Sequence, residues 1–260
     1  MDQQKKVLVI VPFAFDEQAL QLRRDQLDGI SLSPDISFDF RPVRAGADTA
    51  DDFHDALLMD ISVFEAACHA QEEGYAAVCI DTVGDSGMKS LRSVLDIPVL
   101  GAGRVAYLFA LMLGRRFSVL TFEPWIWDAH AQLSELGLSD RCASVRGVQG
   151  SSTLDTLFDG KEEDWFPRFE EAGRQCVADG ADVIVLHSTS LHQVGDRVSA
   201  ATGIPVVNPG PLTYKLAELM LGLGISHSHA AYPAPSAPKL DMVHAMLTAA
   251  AAHEQERAVR

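Results

Sequence analysis

Val78-Cys79-Ile80-Asp81-Thr82-Val83-Gly84-Asp85-Ser86-Gly87 is the stretch on which the fold turns. A degenerate copy, Ile184 to Ser190, follows about a hundred residues later, and self-similarity of that length marks a duplicated supersecondary unit. In the first copy Gly74 leads into the apolar run Ala76 to Ile80 and, eight positions on, to Thr82; in the second Gly180 leads into Val183 to Leu186 and, again eight on, to Ser188. Each run passes through a polar turn and a helix-length segment to a second short apolar strand, Ile97 to Leu100 or Ile204 to Val207. Gly74 precedes Pro98 by 24 positions and Gly180 precedes Pro205 by 25. Two matching strand ends, each carrying a hydroxyl, are what a site shared by pseudo-symmetric halves presents. A hydroxyl at that place also caps a following helix, and the residues alone leave both roles open.

Composition bounds the partners. With 260 residues and 47% hydrophobic content, the chain suits one large domain or two lobes around packed cores. A formal net charge of -15 argues against nucleic acid and against an anionic membrane surface, since both call for a concentrated basic face. Four cysteines, at 68, 79, 142 and 176, show no CxxC and no metal-ligand spacing. The opening Met-Asp-Gln-Gln-Lys-Lys carries no secretory apolar stretch, so a cytoplasmic location is expected. No apolar run approaches the roughly 20 residues that span a bilayer.

Working outward, Val7 to Val11 is a continuous β-branched and apolar run, the pattern of a central parallel strand. Pro12 ends it, Phe13-Ala14-Phe15 form a loop at its carboxyl end, and Asp16 caps a helix expected over 16–27. Ile36 to Phe40 alternates and reads as an outer strand. Residues 50–73 give a long amphipathic helix with the stripe Phe53, Leu57, Ile61, Phe64 and Cys68. After the first copy, 104–113 is helical, Phe117 to Thr121 is a strand, and a helix through Leu136 leads to a weaker strand around 143–148. Gly150 to Thr153 is a Gly/Ser/Thr-rich loop, expected to be mobile. The helix 165–178 delivers the second copy, 212–223 is a last core helix, and a terminal helix covers about 240–252. Alternation of strand and helix throughout argues for parallel sheets of βαβ units.

The series Val83-Gly84-Asp85-Ser86-Gly87-Met88, Ile97-Pro98-Val99-Leu100-Gly101-Ala102-Gly103, Lys215-Leu216-Ala217-Glu218 and Ser226 through Ala230-Ala231-Tyr232-Pro233 resembles the Asp/Glu/hydantoin racemase superfamily, within it the hydantoin and allantoin racemase branch. The similarity covers most of the chain. It implies an α/β fold of two pseudo-symmetric flavodoxin-like lobes with parallel sheets and a cleft between them, divided as 1–114 plus 211–260 and 115–210. It also implies a homo-oligomer, with Trp127, Trp165, Met242 and Met246 as interface candidates, and no cofactor. The chain departs from the family where the chemistry lives. The family places one Cys at the position of Thr82 and another at that of Ser188, so that one thiolate removes the α-proton of the substrate and the opposite thiol returns one. Neither thiol is present here. The family's Asn-Pro-Asn after the first strand is Val11-Pro12-Phe13, and Phe13, Phe15, Phe122 and Trp125 suggest a more apolar wall.

An alcohol is a far weaker acid than a thiol of pKa about 8.5 and needs an adjacent base to act. Thr82 and Ser188 therefore fit as hydrogen-bond donors to a small anionic or imide substrate, joined by backbone N–H groups at helix starts. Asp85, in the first turn, and His192, four residues past Ser188, are the expected acid–base groups beside them. Phe13, Val83, Gly84, Thr121, Trp125, Thr189 and Ser190 are expected to line the substrate. Asp81 and His187 immediately precede the hydroxyl residues and alternate to the opposite face. His227 and His229 form an HxH without third and fourth ligands, so no metal site is expected. Three classes of function follow: a racemase or isomerase of unusual mechanism; a lyase, decarboxylase or hydrolase using the same groups in one-sided chemistry; and a small-molecule binding protein without catalysis.

Overall fold

The computed structural model describes residues 4–150 and 162–258. Residues 151–153 of the Gly/Ser/Thr loop lie outside them. Two compact units emerge, one built from the chain up to Gly101 and from Tyr214 onward, the other from Ala102 to Thr213.

In the first unit four parallel strands run in the order β2-β1-β3-β4, with β1 Lys5–Val11, β2 Ile36–Pro42, β3 Ala77–Ile80 and β4 Val99–Gly101. Val7 through Val11 have no exposed surface, as a strand covered on both faces requires. β1 pairs Val7 with Phe38 on one side and with Ala77 on the other. Helix α1, Glu17–Arg24, starts where Asp16 Oδ1 accepts the Ala19 amide at 2.9 Å. It gives way to a 3₁₀ turn at Asp25–Leu27 within the expected helical span. Tyr214 packs its ring on Phe38 and Phe40, with centroids 5.3 and 6.0 Å away.

Helix α2, Phe53–Ala67, is shorter than expected, and only the later part of the expected stripe packs: Cys68 lies in the core and Phe64 against it. Met59, Ser62, Val63, Ala66 and Ala67 are buried, whereas Phe53 is 74% and Leu57 58% exposed. Lacking a side chain, Gly87 lets the helix backbone lie close to it: a β-carbon there would stand 3.0 Å from the Asp60 carbonyl and 3.1 Å from the Phe64 amide. Helix α3, Met88–Val94, follows, and Leu91 and Met88 join Val63, Val78 and Ile80 in the core.

The second unit repeats the arrangement. Strands β5 Phe117–Phe122, β6 Cys142–Val148, β7 Val183–Leu186 and β8 Val206–Val207 lie in the order β6-β5-β7-β8, all parallel. Around them stand α4 Ala102–Leu113, α5 Ile126–Glu135, α6 Glu162–Ala178, α7 Val194–Thr202 and the start of α8 Pro209–Leu223. Ala106, Tyr107 and Ala110 of α4 pack with Phe117, Val119, Val183 and Val185. The last helix, α9 Leu240–Ala258, runs further than the pattern suggested. No described helix is long and apolar enough to cross a membrane.

Candidate active site

In a parallel sheet, ligands meet the carboxyl ends of the strands. In the first unit β3 ends at Ile80, and the chain leaves through Asp81 and Thr82, both nearly fully buried. Gly84 donates its amide to Thr82 Oγ1 at 3.3 Å. The threonine oxygen thus accepts from the turn, while its proton stays available for donation to another group. Asp85 follows with φ of 52°, a left-handed conformation that aspartate tolerates better than most residues. Its side chain lies over Gly101 at the end of β4. Gly87, with φ of 69°, ends the turn and donates its amide to Asp60 Oδ1 at 2.8 Å. Val83 is buried and Gly84 half-buried. Phe13 and Phe15 stack with centroids 5.4 Å apart after β1, both half-buried, and Arg23 covers Phe15 at 5.6 Å.

The second unit offers the same motif at Ser188. Ser190 donates its amide to Ser188 Oγ at 3.2 Å, the same two-residue span as Gly84 to Thr82. Ser188 is extended and caps the short 3₁₀ turn Thr189–Leu191, so the capping role foreseen for a hydroxyl here is realised. It does not consume the hydroxyl proton. Thr121, fully buried, donates Oγ1–H to the His187 carbonyl at 3.0 Å and ties the end of β5 to the end of β7. Trp125 is buried in the turn before α5, Thr189 is buried, and Ser190 and His192 are half-buried. The His192 carbonyl accepts from Asn208 Nδ2 at 2.9 Å. Phe122, expected in the ligand wall, is instead a core residue set edge-on to Phe169 at 5.2 Å.

The structure adds groups that the motif reading set aside. Asp81 turns away from Thr82 and meets Arg23 Nε at 3.7 Å, and Gln26 Nε2 lies 3.3 Å from both its oxygens. His187 turns away from Ser188 in the same sense. Its Nδ1 is 2.7 Å from Tyr107 Oη and its Nε2 is 2.9 Å from Asp128 Oδ2. A sequence signal existed: Gly103 precedes Tyr107 by four positions, as Gly210 precedes Tyr214. The two tyrosines thus occupy matching places in the duplicated pattern, and both are buried. Burial pushes the Tyr214 phenol well up, with the Asp81 charge adding to it.

None of the four thiols stands at the carboxyl end of a strand: Cys79 is inside β3, Cys142 opens β6, and Cys68 and Cys176 belong to helical segments. Cys68 and Cys176 are pushed up to about 11 by burial, and Cys79 and Cys142 are raised by the same cause, which holds all four protonated near neutral pH. His227 and His229 are engaged by hydrogen bonds, to the Arg92 carbonyl at 2.8 Å and to Asp96 Oδ1 at 3.0 Å.

The sequence profile of the Asp/Glu/Hydantoin racemase family matches residues 24–217. A hydantoin racemase of Pseudomonas sp. (strain NS671) is 28% identical over 183 residues, covering 70% of this chain and 72% of its own. The structure of an allantoin racemase from Klebsiella pneumoniae superposes with a TM-score of 0.81 at 22% identity, over 90% of this chain and 95% of that one. An arylmalonate decarboxylase has the same fold at a TM-score of 0.60 and 19% identity, over 85% and 94% of the two chains.

Proposed function

The chain belongs to the Asp/Glu/hydantoin racemase family, and from that premise we propose that it is an isomerase- or racemase-type enzyme acting on a small carboxylate or imide without a pair of catalytic thiols. The observation that carries this reading is the matched geometry of Thr82 and Ser188. Each oxygen accepts one backbone N–H two residues on, at 3.3 and 3.2 Å, and each keeps a proton to donate. Donors aimed at an oxygen that gains charge as an α-proton leaves stabilise the carbanionic state more than the ground state. Asp85 and His192 are the proposed acid–base groups, and Phe13, Val83, Gly84, Thr121, Trp125, Thr189 and Ser190 the proposed substrate contacts. Thr121 contributes through the backbone it pins, since its own proton goes to the His187 carbonyl.

A second reading, one-sided carbanion chemistry such as decarboxylation, draws support from the unlike groups behind the two hydroxyls. Asp81 pairs with a guanidinium, whereas His187 pairs with a phenol and a carboxylate. A reaction that delivers its proton from one face needs no matched pair.

Proton NMR in D2O separates the readings, using chiral amino acids, 5-substituted hydantoins, 2-substituted malonates and unsaturated diacids as a panel. Loss of an α-proton signal with no new compound supports racemisation. A geometric isomer of an unsaturated diacid supports isomerisation, and any other new product supports the lyase, decarboxylase or hydrolase reading and identifies its substrate class. Silence across the panel with folded protein counts against both.

A further inference from the structure

We infer that His187 is a positioning residue for the Ser188 strand end, held by Tyr107 on one side and Asp128 on the other. The inference deepens the proposed function and rests on the reading of Ser188 as a substrate-holding hydroxyl.

Donor counting sets the direction of the chain. An ionised carboxylate only accepts, so the His187 nitrogen facing Asp128, Nε2, carries the proton. In the neutral ring Nδ1 then bears the lone pair and takes the Tyr107 O–H at 2.7 Å. Gln132 Nε2 adds a second donor to Asp128 Oδ2 at 3.0 Å. Asp128 lies in the first turn of α5, where the helix dipole favours its charge. The imidazole is 1% exposed, and its ring centroid lies 5.9 Å from that of Tyr107 with the two planes 18° apart, the near-coplanar arrangement of an in-plane hydrogen bond. Fixed at both nitrogens, the ring has no freedom to rotate without breaking buried hydrogen bonds.

The backbone of the same residue carries that constraint to the site. His187 donates its amide to the Leu120 carbonyl at 2.9 Å and accepts the Thr121 hydroxyl at 3.0 Å, and the next residue is Ser188. A side chain locked into α4 and α5 therefore sets where β7 ends and where the Ser188 turn begins. In the first unit the matching residue, Asp81, is held by Arg23 and Gln26 instead. Its amide makes the equivalent bond, to the Ile10 carbonyl at 2.9 Å. Each strand end thus has its own support, which supplies an internal control.

Amide hydrogen exchange by NMR on the full chain tests the inference, comparing the unmodified protein with Tyr107→Phe and Asp128→Asn. Protection of the His187 and Ser190 amides is expected to fall about tenfold in each variant, as the loss of one buried hydrogen bond implies. Protection of their counterparts, Asp81 and Gly84, is expected to stay within about twofold. Unchanged protection at His187 and Ser190, or an equal loss in both units, overturns the inference. A second measurement needs no variant: ring nitrogen-15 shifts of assigned His187 near neutral pH. A protonated Nε2 with a bare Nδ1 upholds it, and a protonated Nδ1 with a bare Nε2 overturns it. Neither readout involves substrate, so failure of the proposed function registers separately in the substrate panel.

Discussion

The Asp85 side chain lies against the backbone of Gly101, so close that a β-carbon at Gly101 would come within 2.9 Å of the Asp85 β-carbon and nearer still to its carboxylate. The end of β4 thus holds the turn that follows Thr82. Gly101→Ala drives Asp85 out of this position and is expected to cost about 1–3 kcal/mol, the usual range for overpacking. Asp85→Asn keeps the left-handed turn, whereas Asp85→Val costs roughly 1–2 kcal/mol through backbone clash. Urea denaturation midpoints for the three variants check the order.

Substitution at the strand-end hydroxyls separates substrate holding from capping. Thr82→Val and Ser188→Ala each remove a donor and an acceptor for one backbone amide. The stability cost is expected near 1 kcal/mol, while turnover on whichever panel compound reacts falls by at least about a hundredfold. Full activity in both variants, measured beside their melting temperatures, removes the hydroxyls from the mechanism.

Alkylation gives a contrast with two-thiol enzymes. Burial raises all four thiols, and Cys79 and Cys176 are completely enclosed. Treatment with iodoacetamide at pH 7.5 is expected to leave activity intact, with Cys79 and Cys176 labelled only after denaturation. Mass spectrometry of the labelled peptides, set beside the residual rate, reads both results.

The Asp179 carboxyl supplies a pH signature. Paired hydrogen bonds from Arg146, Nε to Oδ2 and Nη2 to Oδ1, both 2.7 Å, hold it down to about 2. Its folded pKa lies below the unfolded value, so its stabilising contribution is present above about pH 4 and fades as pH falls toward 2. Asp179→Asn is therefore expected to be less stable than the parent at pH 6, with the gap narrowing between pH 4.5 and 3. A gap that does not change with pH refutes the assignment.

Much of the architecture was legible in local pattern. Val7 to Val11 announced a central strand because a strand covered on both faces has no polar alternation to show, and Ile36 to Phe40 announced an outer one because it does. The spacing from Gly74 to Thr82 and from Gly180 to Ser188 carried the duplication, and Asp16 marked the start of α1. These features depend on neighbours within a few residues, where side-chain type and period act directly on the backbone.

Other features had no local cause. The stripe of α2 packs only toward its C-terminal end, where Phe64 and Cys68 meet the core and the backbone passes close to Gly87, while Phe53 and Leu57 remain in solvent although their spacing matches a buried stripe. Phe122 entered the core because Phe169, on a helix 47 positions further along, lies across it. Alternation placed Asp81 and His187 on the far face but could not name their partners. Those come from 58, 55, 80 and 59 positions away, brought to the strand ends by helices whose seat on the sheet is a property of the packed core. Residue type supplied the hydroxyls, the imidazole and the carboxylates; only the tertiary structure decided which of them meet, because burial leaves each polar group dependent on whatever donor or acceptor the packing brings within reach.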